Sequence, residues 1–222
     1  MSNKQHCPSA EMLIEFSAGT LETAASICVS AHLHYCKHCR SELLKLNEIG
    51  SQLMMQNDPA EIDNTESLLA NVIDKIDDLP EPTPSDVSKK SAGEYPHAVE
   101  KMINDAPQPP VWRRLTKSLD VKKLISGQNR FEVALHKIHA GGKTPQHDHH
   151  GTEYTVVLKG SFSDEQSLYS EGDFIVRQPG DVHQPMSAKN GECICLSALE
   201  APIRLTSRLG FLMKPWLRIN PM

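Results

Sequence analysis

The chain has 222 residues and a formal net charge of -5 at pH 7, a balance that argues against a general nucleic-acid binder. Its apolar runs fall short of the ~18 residues of a membrane helix, and its polar start, MSNKQHCPSAEM, lacks the apolar stretch of a signal peptide. We therefore expect a cytoplasmic protein without a membrane segment. In a reducing compartment, its six cysteines indicate metal or redox chemistry rather than disulfides.

Apolar residues at helical spacing predict four helices in the first 80 residues. The first ends at Gly19, the second runs from about Leu21 to His34, and the third runs from near Cys36 to Asp58. The fourth covers residues 61–79 and combines an apolar stripe with a row of acidic residues. This acidic helix is either an ordinary solvated surface or a docking surface for another protein.

A metal-ligand pattern lies where the second and third predicted helices meet. His32, Cys36 and Cys39 form an H-x3-C-x2-C motif, which presents an imidazole and two thiols within about two helical turns. This ligand set suits tetrahedral zinc, and Cys7, with His6 beside it, offers the fourth ligand. A closed site of four protein ligands predicts structural rather than catalytic Zn2+, with a CxxC redox pair as the alternative.

Residues 81–110 predict a linker, because seven prolines fall between Pro80 and Pro110 among many polar residues. Proline removes a backbone donor and fixes φ, so we expect no regular element here and few contacts that hold the two halves together. Two short apolar patches, Tyr95 to Val99 and Met102-Ile103, are candidates to dock on a neighbour.

From Val111 onward the pattern changes to short apolar segments separated by glycine turns. Such closely spaced segments predict an all-β sandwich or barrel. The predicted strands cover residues 131–138, 153–160, 173–180, 192–199 and 203–209.

A second set of ligands is distributed over these predicted strands. His147 and His149 are two residues apart and point to the same side of a strand, Glu153 follows shortly, and His183 arrives from a second hairpin. Three imidazoles and a carboxylate form a mixed N/O site for a divalent metal, with zinc preferred and Fe, Mn, Ni and Cu also suitable. A barrel that keeps these polar residues without metal is the alternative.

The glycine and histidine spacings around these ligands resemble the two motifs of the cupin superfamily over roughly residues 110–215. The first motif matches completely, whereas Pro179 is displaced by one residue in the second. The stretch CPSAEMLIEFSAGTLETAASICVSAHLHYCKHC resembles the zinc-binding anti-sigma domain of bacterial regulators, and its union with a C-terminal cupin resembles the ChrR family.

This resemblance implies a multidomain fold, with an all-α zinc-binding helical domain (1–80), a proline-rich linker (81–110) and an all-β cupin, or double-stranded β-helix, barrel (111–222). It implies an anti-sigma factor, not an enzyme, that binds an ECF-type sigma factor and releases it on singlet-oxygen-like oxidative stress sensed through the cupin. The family usually has histidine as its first zinc ligand. Counting back from the AGTL turn places Cys7 there, so we prefer Cys7 and keep His6 as the alternative.

Two further interpretations stay open. Cys193 and Cys195 share one side of a predicted strand, as buried apolar residues or, alternatively, as an oxidisable pair near the cupin metal. A rival for the whole chain is a dioxygenase-like cupin metalloenzyme with a helical appendage, because three histidines and a glutamate would also serve that chemistry.

Overall fold

A computed structural model describes residues 6–58, 65–79, 93–124, 130–200 and 204–205. Four helices lie where the apolar spacing predicted them, and a fifth lies in the predicted linker. They are α1 (Ala10–Ser17), α2 (Thr23–Tyr35), α3 (Lys37–Met55), α4 (Thr65–Asp77) and α5 (His97–Asn104).

Local hydrogen bonds fix where these helices begin and end. Ser9 caps α1 through a bond from the backbone N–H of Met12 to its Oγ (3.3 Å), and Glu22 caps α2 by accepting from the N–H of Ala24 (2.9 Å). Cys36 ends α2 and begins α3 in an extended conformation. Arg40 then donates to the carbonyls of Leu33 and His34, which satisfies acceptors at the end of α2.

The second half of the described chain is a β structure, as predicted. Its strands are β1 (Arg113–Arg114), β2 (Leu119–Leu124), β3 (Glu132–Ile138), β4 (His147–Asp148), β5 (Glu153–Lys159), β6 (Ser161–Ser163), β7 (Leu168–Ser170), β8 (Phe174–Arg177), β9 (Val182–His183), β10 (Met186–Ser187), β11 (Cys193–Leu199) and β12 (Arg204–Leu205). Of the predicted strand at 203–209, only residues 204–205 fall within the described ranges, and they pair with β4.

Three antiparallel sheets form from these strands, in the orders β1-β2-β3-β11-β5-β8, β10-β6-β7 and β12-β4-β9. The central strands of the six-stranded sheet are buried on both faces. Val156 and Leu158 belong to a core that also contains helix residues, whereas Val157 between them belongs to a separate core inside the barrel. Burial on both faces explains why β5 and β11 are nearly continuous apolar runs.

The helical half packs directly on the outer face of this sheet. Helix α2 contacts β5, β8 and β11, and the Tyr35 hydroxyl donates to the carbonyl of Leu158 (2.9 Å). One buried cluster joins Val29 of α2 to Leu196 of β11. The expectation of few contacts between the halves is therefore wrong, because α2 uses the sheet to bury its apolar face.

The predicted linker is also more ordered than its proline content indicated. Helix α5 occupies part of it, contrary to the expectation of no regular element. Val99 of α5 is fully buried, and Met102 and Ile103 pack against the same core, which confirms docking of the two apolar patches. The domain boundaries at residues 80 and 111 stay predictions, because the structure does not describe residues 80–92.

Candidate metal centres

The first cluster lies where the segment before α1 meets the junction of α2 and α3. It unites Cys7, His32, Cys36 and Cys39, whose candidate ligand atoms all lie within 4.8 Å of one another. The Cys7 and Cys36 Sγ atoms are 3.9 Å apart, and His32 Nε2 lies 3.3 Å from Cys39 Sγ. Two sulfurs bound at about 2.3 Å to one tetrahedral zinc would lie about 3.8 Å apart, so this spacing suits the ion.

The protonation of His32 also suits a metal ligand. Its Nδ1 lies 2.6 Å from the carbonyl oxygen of Gly172, which can only accept, so Nδ1 carries the proton. The Nε2 lone pair therefore faces the thiols, which is the usual arrangement of a metal-binding histidine with an outer hydrogen-bond partner. Burial lowers the pKa of His32, which favours the neutral ring that a metal needs.

Two thiols in this cluster, those of Cys7 and Cys39, are poor anions without a cation. Burial raises the pKa of Cys7 and of Cys39, and hydrogen bonds from Cys39 to the neighbouring thiols raise its pKa further. A divalent cation would reverse this preference, since it is the thiolate that binds metal. The donor set therefore fits Zn2+.

His6, the alternative fourth ligand, points elsewhere. Its ring packs edge-on against Tyr169 with 4.9 Å between centroids, and its backbone N–H donates to Asp173 Oδ1 (2.9 Å). Its Nδ1 lies 3.8 Å from Asp173 Oδ2. This placement supports Cys7 as the fourth ligand.

The second cluster lies inside the barrel and is buried throughout. His147 of β4 pairs directly with His183 of β9, His149 follows β4, and Glu153 begins β5. His183 Nε2 lies 3.0 Å from the Nε2 atoms of both His147 and His149. Glu153 Oε2 lies 3.5 Å from His149 Nε2.

Hydrogen bonds on the far sides of the rings indicate that this cluster also suits a cation. His147 Nδ1 faces the Pro145 carbonyl at 2.9 Å, and the nearest partner of His183 Nδ1 is Asp164 Oδ2 at 3.1 Å. Both acceptors place the proton on Nδ1 and leave two Nε2 lone pairs facing each other. Such lone pairs repel unless a cation lies between them.

Burial shifts the pKa values of the candidate ligands in directions that suit binding of a cation. It lowers the pKa values of His147 and His149 to about 4, so both rings are neutral at pH 7. It also raises the pKa of Glu153, which makes a bare carboxylate costly there. A divalent cation would offset that cost, and as a Lewis acid it would polarise bound oxygen atoms.

A small cavity adjoins this cluster. Its volume is about 130 Å³, and its walls combine apolar side chains with His136 and Cys195. Cys193 and Cys195 lie with their sulfurs 3.6 Å apart, both buried in the barrel core. Both thiols are thus core residues, and Cys195 also lines the cavity beside the second cluster.

Sequence reasoning missed a buried polar group beside the second cluster. Arg177 of β8 pairs with Asp164, whose side chain is fully buried, and also donates to the Tyr169 hydroxyl (2.9 Å). Burial alone would raise the pKa of Asp164, but hydrogen bonds from His183 and from the backbone of Gln166 lower it below its ordinary value. An arginine inside the apolar run DFIVRQPG was the available signal, because a buried arginine needs a partner.

Comparison with known proteins agrees with both halves of the chain. Residues 102–201 match the family profile described as ChrR Cupin-like domain. The chain is 31% identical over 216 residues to the anti-sigma-E factor ChrR of Cereibacter sphaeroides, covering 97% of this chain and 99% of that protein. The chain belongs to the ChrR family.

A solved structure supports the same assignment for the fold. The crystal structure of Rhodobacter sphaeroides SigE in complex with the anti-sigma ChrR matches with a TM-score of 0.73 and 28% identity, covering 88% of this chain and 98% of that one. The fold predicted from the motifs, a helical region followed by a cupin, is therefore confirmed.

Within this ChrR-family chain, the eight predicted ligands assemble into two clusters. Metal ligation itself stays a prediction. Among the described residues, no helix has both the length and the apolar character to cross a membrane.

Proposed function

We propose that this chain is a cytoplasmic anti-sigma factor. It holds an ECF-type sigma factor away from RNA polymerase and releases it under oxidative stress of the singlet-oxygen kind. ChrR-family membership supports this function. The observation that carries it is that α3 and α4 expose rows of large apolar side chains to solvent.

Helix α4 has an apolar face that solvent contacts. Leu69 is 60% exposed and Ile73 is 47% exposed, and their neighbours Leu68, Val72 and Ile76 are also exposed. Met54 and Met55 at the end of α3 are exposed as well. A 13-residue helix gains little stability by itself in water, and monomers rarely expose contiguous apolar surface. A protein partner that covers these faces would both stabilise the helix and remove its apolar surface from water.

Charge on the same segment favours a sigma factor as that partner. Glu66, Asp74 and Asp78 are exposed, whereas Lys75 is the one basic residue between Thr65 and Leu79. Sigma factors meet DNA through basic surfaces and meet polymerase through apolar ones. An acidic amphipathic helix would compete for both.

The first cluster would hold structural Zn2+ through Cys7, His32, Cys36 and Cys39. Its ligands join three segments: the chain before α1, helix α2 and the start of α3. A metal that joins them contributes folding free energy to a helical half with few large buried side chains. This zinc would keep α3 and α4 in the arrangement that binds the sigma factor.

The second cluster would hold a divalent metal, zinc by preference, as the sensor. His147, His149, Glu153 and His183 come from separate strands or their ends, so the metal would tie the barrel mouth together. Metal loss, or oxidation of a ligand or of Cys193 or Cys195, would loosen that end. Alanine at His147 or Glu153 should therefore preserve repression and abolish induction in a sigma-dependent reporter.

Alanine at His150 is the matched control, because His150 is exposed and lies outside the cluster. It should leave induction intact. Normal induction in His147→Ala and Glu153→Ala proteins, shown by metal analysis to lack the cupin metal, would remove the metal from sensing.

Binding to the sigma factor is tested with exposed residues of α4. The Leu69→Glu/Ile73→Glu variant should weaken binding to an ECF-type sigma factor of the same organism by ~30-fold or more, as loss of an interface hot spot does. Asn71→Glu places one glutamate at an exposed polar position of α4 and should bind as the natural chain does. If the natural chain captures no sigma factor, the proposal fails.

A dioxygenase-like cupin enzyme is the second candidate. The cavity of about 130 Å³ beside His147, Glu153 and His183 would accommodate a small substrate at the metal. Turnover of a small molecule by the metal-loaded full chain, lost in a His147→Ala variant, would favour this alternative.

A further inference from the structure

Helix α2 and the chain before α1 meet the cupin at the reverse turn of Glu171 and Gly172, which joins β7 to the start of β8. These two strands pair with β6 and β5 rather than with each other. We call residues 168–174 the closing hairpin. It touches the helical half at both ends of the first cluster, next to Cys7 and next to His32. The hairpin therefore belongs to the surroundings of a candidate zinc site in the other half of the chain.

Hydrogen bonds from the closing hairpin hold two of the four candidate zinc ligands. The Gly172 carbonyl accepts from His32 Nδ1 (2.6 Å) and so orients that ring. The Phe174 N–H donates to the His6 carbonyl (2.8 Å), and Asp173 Oδ1 accepts from the His6 N–H (2.9 Å). These two bonds fix the residue that immediately precedes Cys7.

The turn has a conformation that makes this contact specific. Gly172 has φ of 88°, in the left-handed region that favours glycine, and Asp173 Oδ2 accepts from the Ser170 N–H (2.7 Å) across the turn. This geometry directs the Gly172 carbonyl toward His32. A displacement of the hairpin would therefore move the hydrogen-bond acceptor of a zinc ligand.

The other side of the closing hairpin reaches the cupin cluster through buried charged groups. The Tyr169 hydroxyl accepts from Arg177 (2.9 Å), Arg177 pairs with Asp164, and Asp164 accepts from His183 Nδ1 (3.1 Å). His183 is a candidate ligand of the cupin metal. The Tyr169 ring in turn packs against His6.

All three connecting side chains are shielded from water. Asp164 is fully buried as a side chain, and Arg177 and Tyr169 are nearly so. Hydrogen bonds between buried groups are strong, and breaking one without a replacement is costly. A displacement of one of these three side chains therefore favours a displacement of the other two. A cation on His183 Nε2 would strengthen its Nδ1–H as a donor to Asp164.

We propose that Asp164, Arg177 and Tyr169 couple the two metal sites, so that the state of the cupin site sets how tightly the closing hairpin supports the zinc ligands Cys7 and His32. These are positioning residues. With the cupin site filled, the hairpin holds the four zinc ligands together; with it empty, Tyr169 and the hairpin lose support, and the thiolates of buried Cys36 and Cys39 as well as exposed Cys7 react more readily. Use of this coupling to release a sigma factor rests on the proposed function.

The test uses the full chain loaded with Co2+ in place of zinc. Thiolate ligands give Co2+ an intense near-ultraviolet absorption, and the cupin cluster contains no thiolate, so that band reports the first cluster alone. The measured quantity is the rate at which iodoacetamide abolishes the band. Alkylation needs no chelator, so the cupin metal stays in place.

Two changes are compared alone and together. A His147→Ala/His149→Ala protein has an empty cupin site, and Tyr169→Phe keeps the ring but removes the hydroxyl that Arg177 binds. Each should raise the alkylation rate by about 10-fold, the lower end of the effect of removing an outer-shell partner. The combined variant should be no faster than either, because both changes break the same connection.

Tyr154→Phe is the matched control, since Tyr154 packs between Phe131 and Phe174 and its hydroxyl makes no hydrogen bond among the described residues. It should react at the natural rate. The proposal is overturned if Tyr169→Phe or the empty-cupin protein reacts at the natural rate, or if the combined variant shows the ~100-fold product expected of independent effects.

A second variant covers the case in which Tyr169→Phe does not fold. Gly172→Ala disfavours the left-handed turn and should also speed alkylation, and a natural rate in folded Gly172→Ala protein would contradict the coupling. No sigma factor is present in this assay. Coupling without sigma binding would overturn the proposed function alone, and sigma binding without coupling would overturn this inference alone.

Discussion

Cys36 is both the boundary between two helices and a candidate zinc ligand. It ends α2, begins α3, and its Sγ accepts from the Cys39 N–H (3.4 Å) while lying among the candidate zinc ligands. The H-x3-C-x2-C spacing predicted the ligand role. The helix break was predicted as well, since the second helix was expected to end at about His34 and the third to begin near Cys36. The capping of α2 by Arg40 was not predicted.

Replacement of Cys36 by serine should release zinc and destabilise the helical half, since metal binding there contributes to folding. We expect about one zinc less per chain and constitutive sigma-dependent transcription. Metal analysis and a reporter assay measure these outcomes. Cys28→Ala is the control, because Cys28 is equally buried but lies outside the cluster. Full repression by Cys36→Ser protein would contradict the structural role of zinc.

His136 gives a prediction about pH. Burial lowers its pKa from 6.5 to about 4, so the unfolded chain binds this proton more tightly than the folded one. The stability that the neutral ring contributes is present above pH 6.5 and is lost as the pH falls toward 4. In metal-free protein, His136→Gln should make the fall in urea midpoint over this range shallower. An unchanged slope would contradict a neutral His136 in the folded chain.

At the scale of elements, α5 is the clearest departure from the sequence prediction. Proline counting predicted an irregular linker, but the eight residues His97–Asn104 form a helix whose buried side packs on the core shared with α2. The two apolar patches carried the correct signal. The segment that contains them is too short to predict as a helix unless one knows the surface on which it packs.

The docking of α5 can be measured by its effect on stability. Val99→Ala should lower the free energy of unfolding by about 2 kcal/mol, because Val99 is fully buried against the core and truncation leaves a cavity. Lys101→Ala on the exposed side of the same helix should change it little. Equal effects of the two substitutions in denaturant unfolding would indicate that α5 does not dock.

At the scale of the molecule, the sequence predicted the two folds and the two clusters in which eight His, Cys and Glu side chains meet, because metal-ligand spacing and strand alternation are local patterns. It did not predict that the halves share a core. The nearly continuous apolar strands β5 and β11 indicated a second covered face, but nothing local identifies α2 as the cover. Nor does local sequence reveal that Gly172 meets His32, because this contact joins residues 140 positions apart.

The claim that this chain is an anti-sigma factor is tested most directly by inhibition of transcription. Run-off transcription by RNA polymerase and an ECF-type sigma factor of the same organism would be measured while the chain is titrated. We predict that one equivalent of the natural chain abolishes the transcript, and that the Leu69→Glu/Ile73→Glu variant leaves most of it. Undiminished transcription at saturating amounts of the zinc-loaded natural chain would contradict the account.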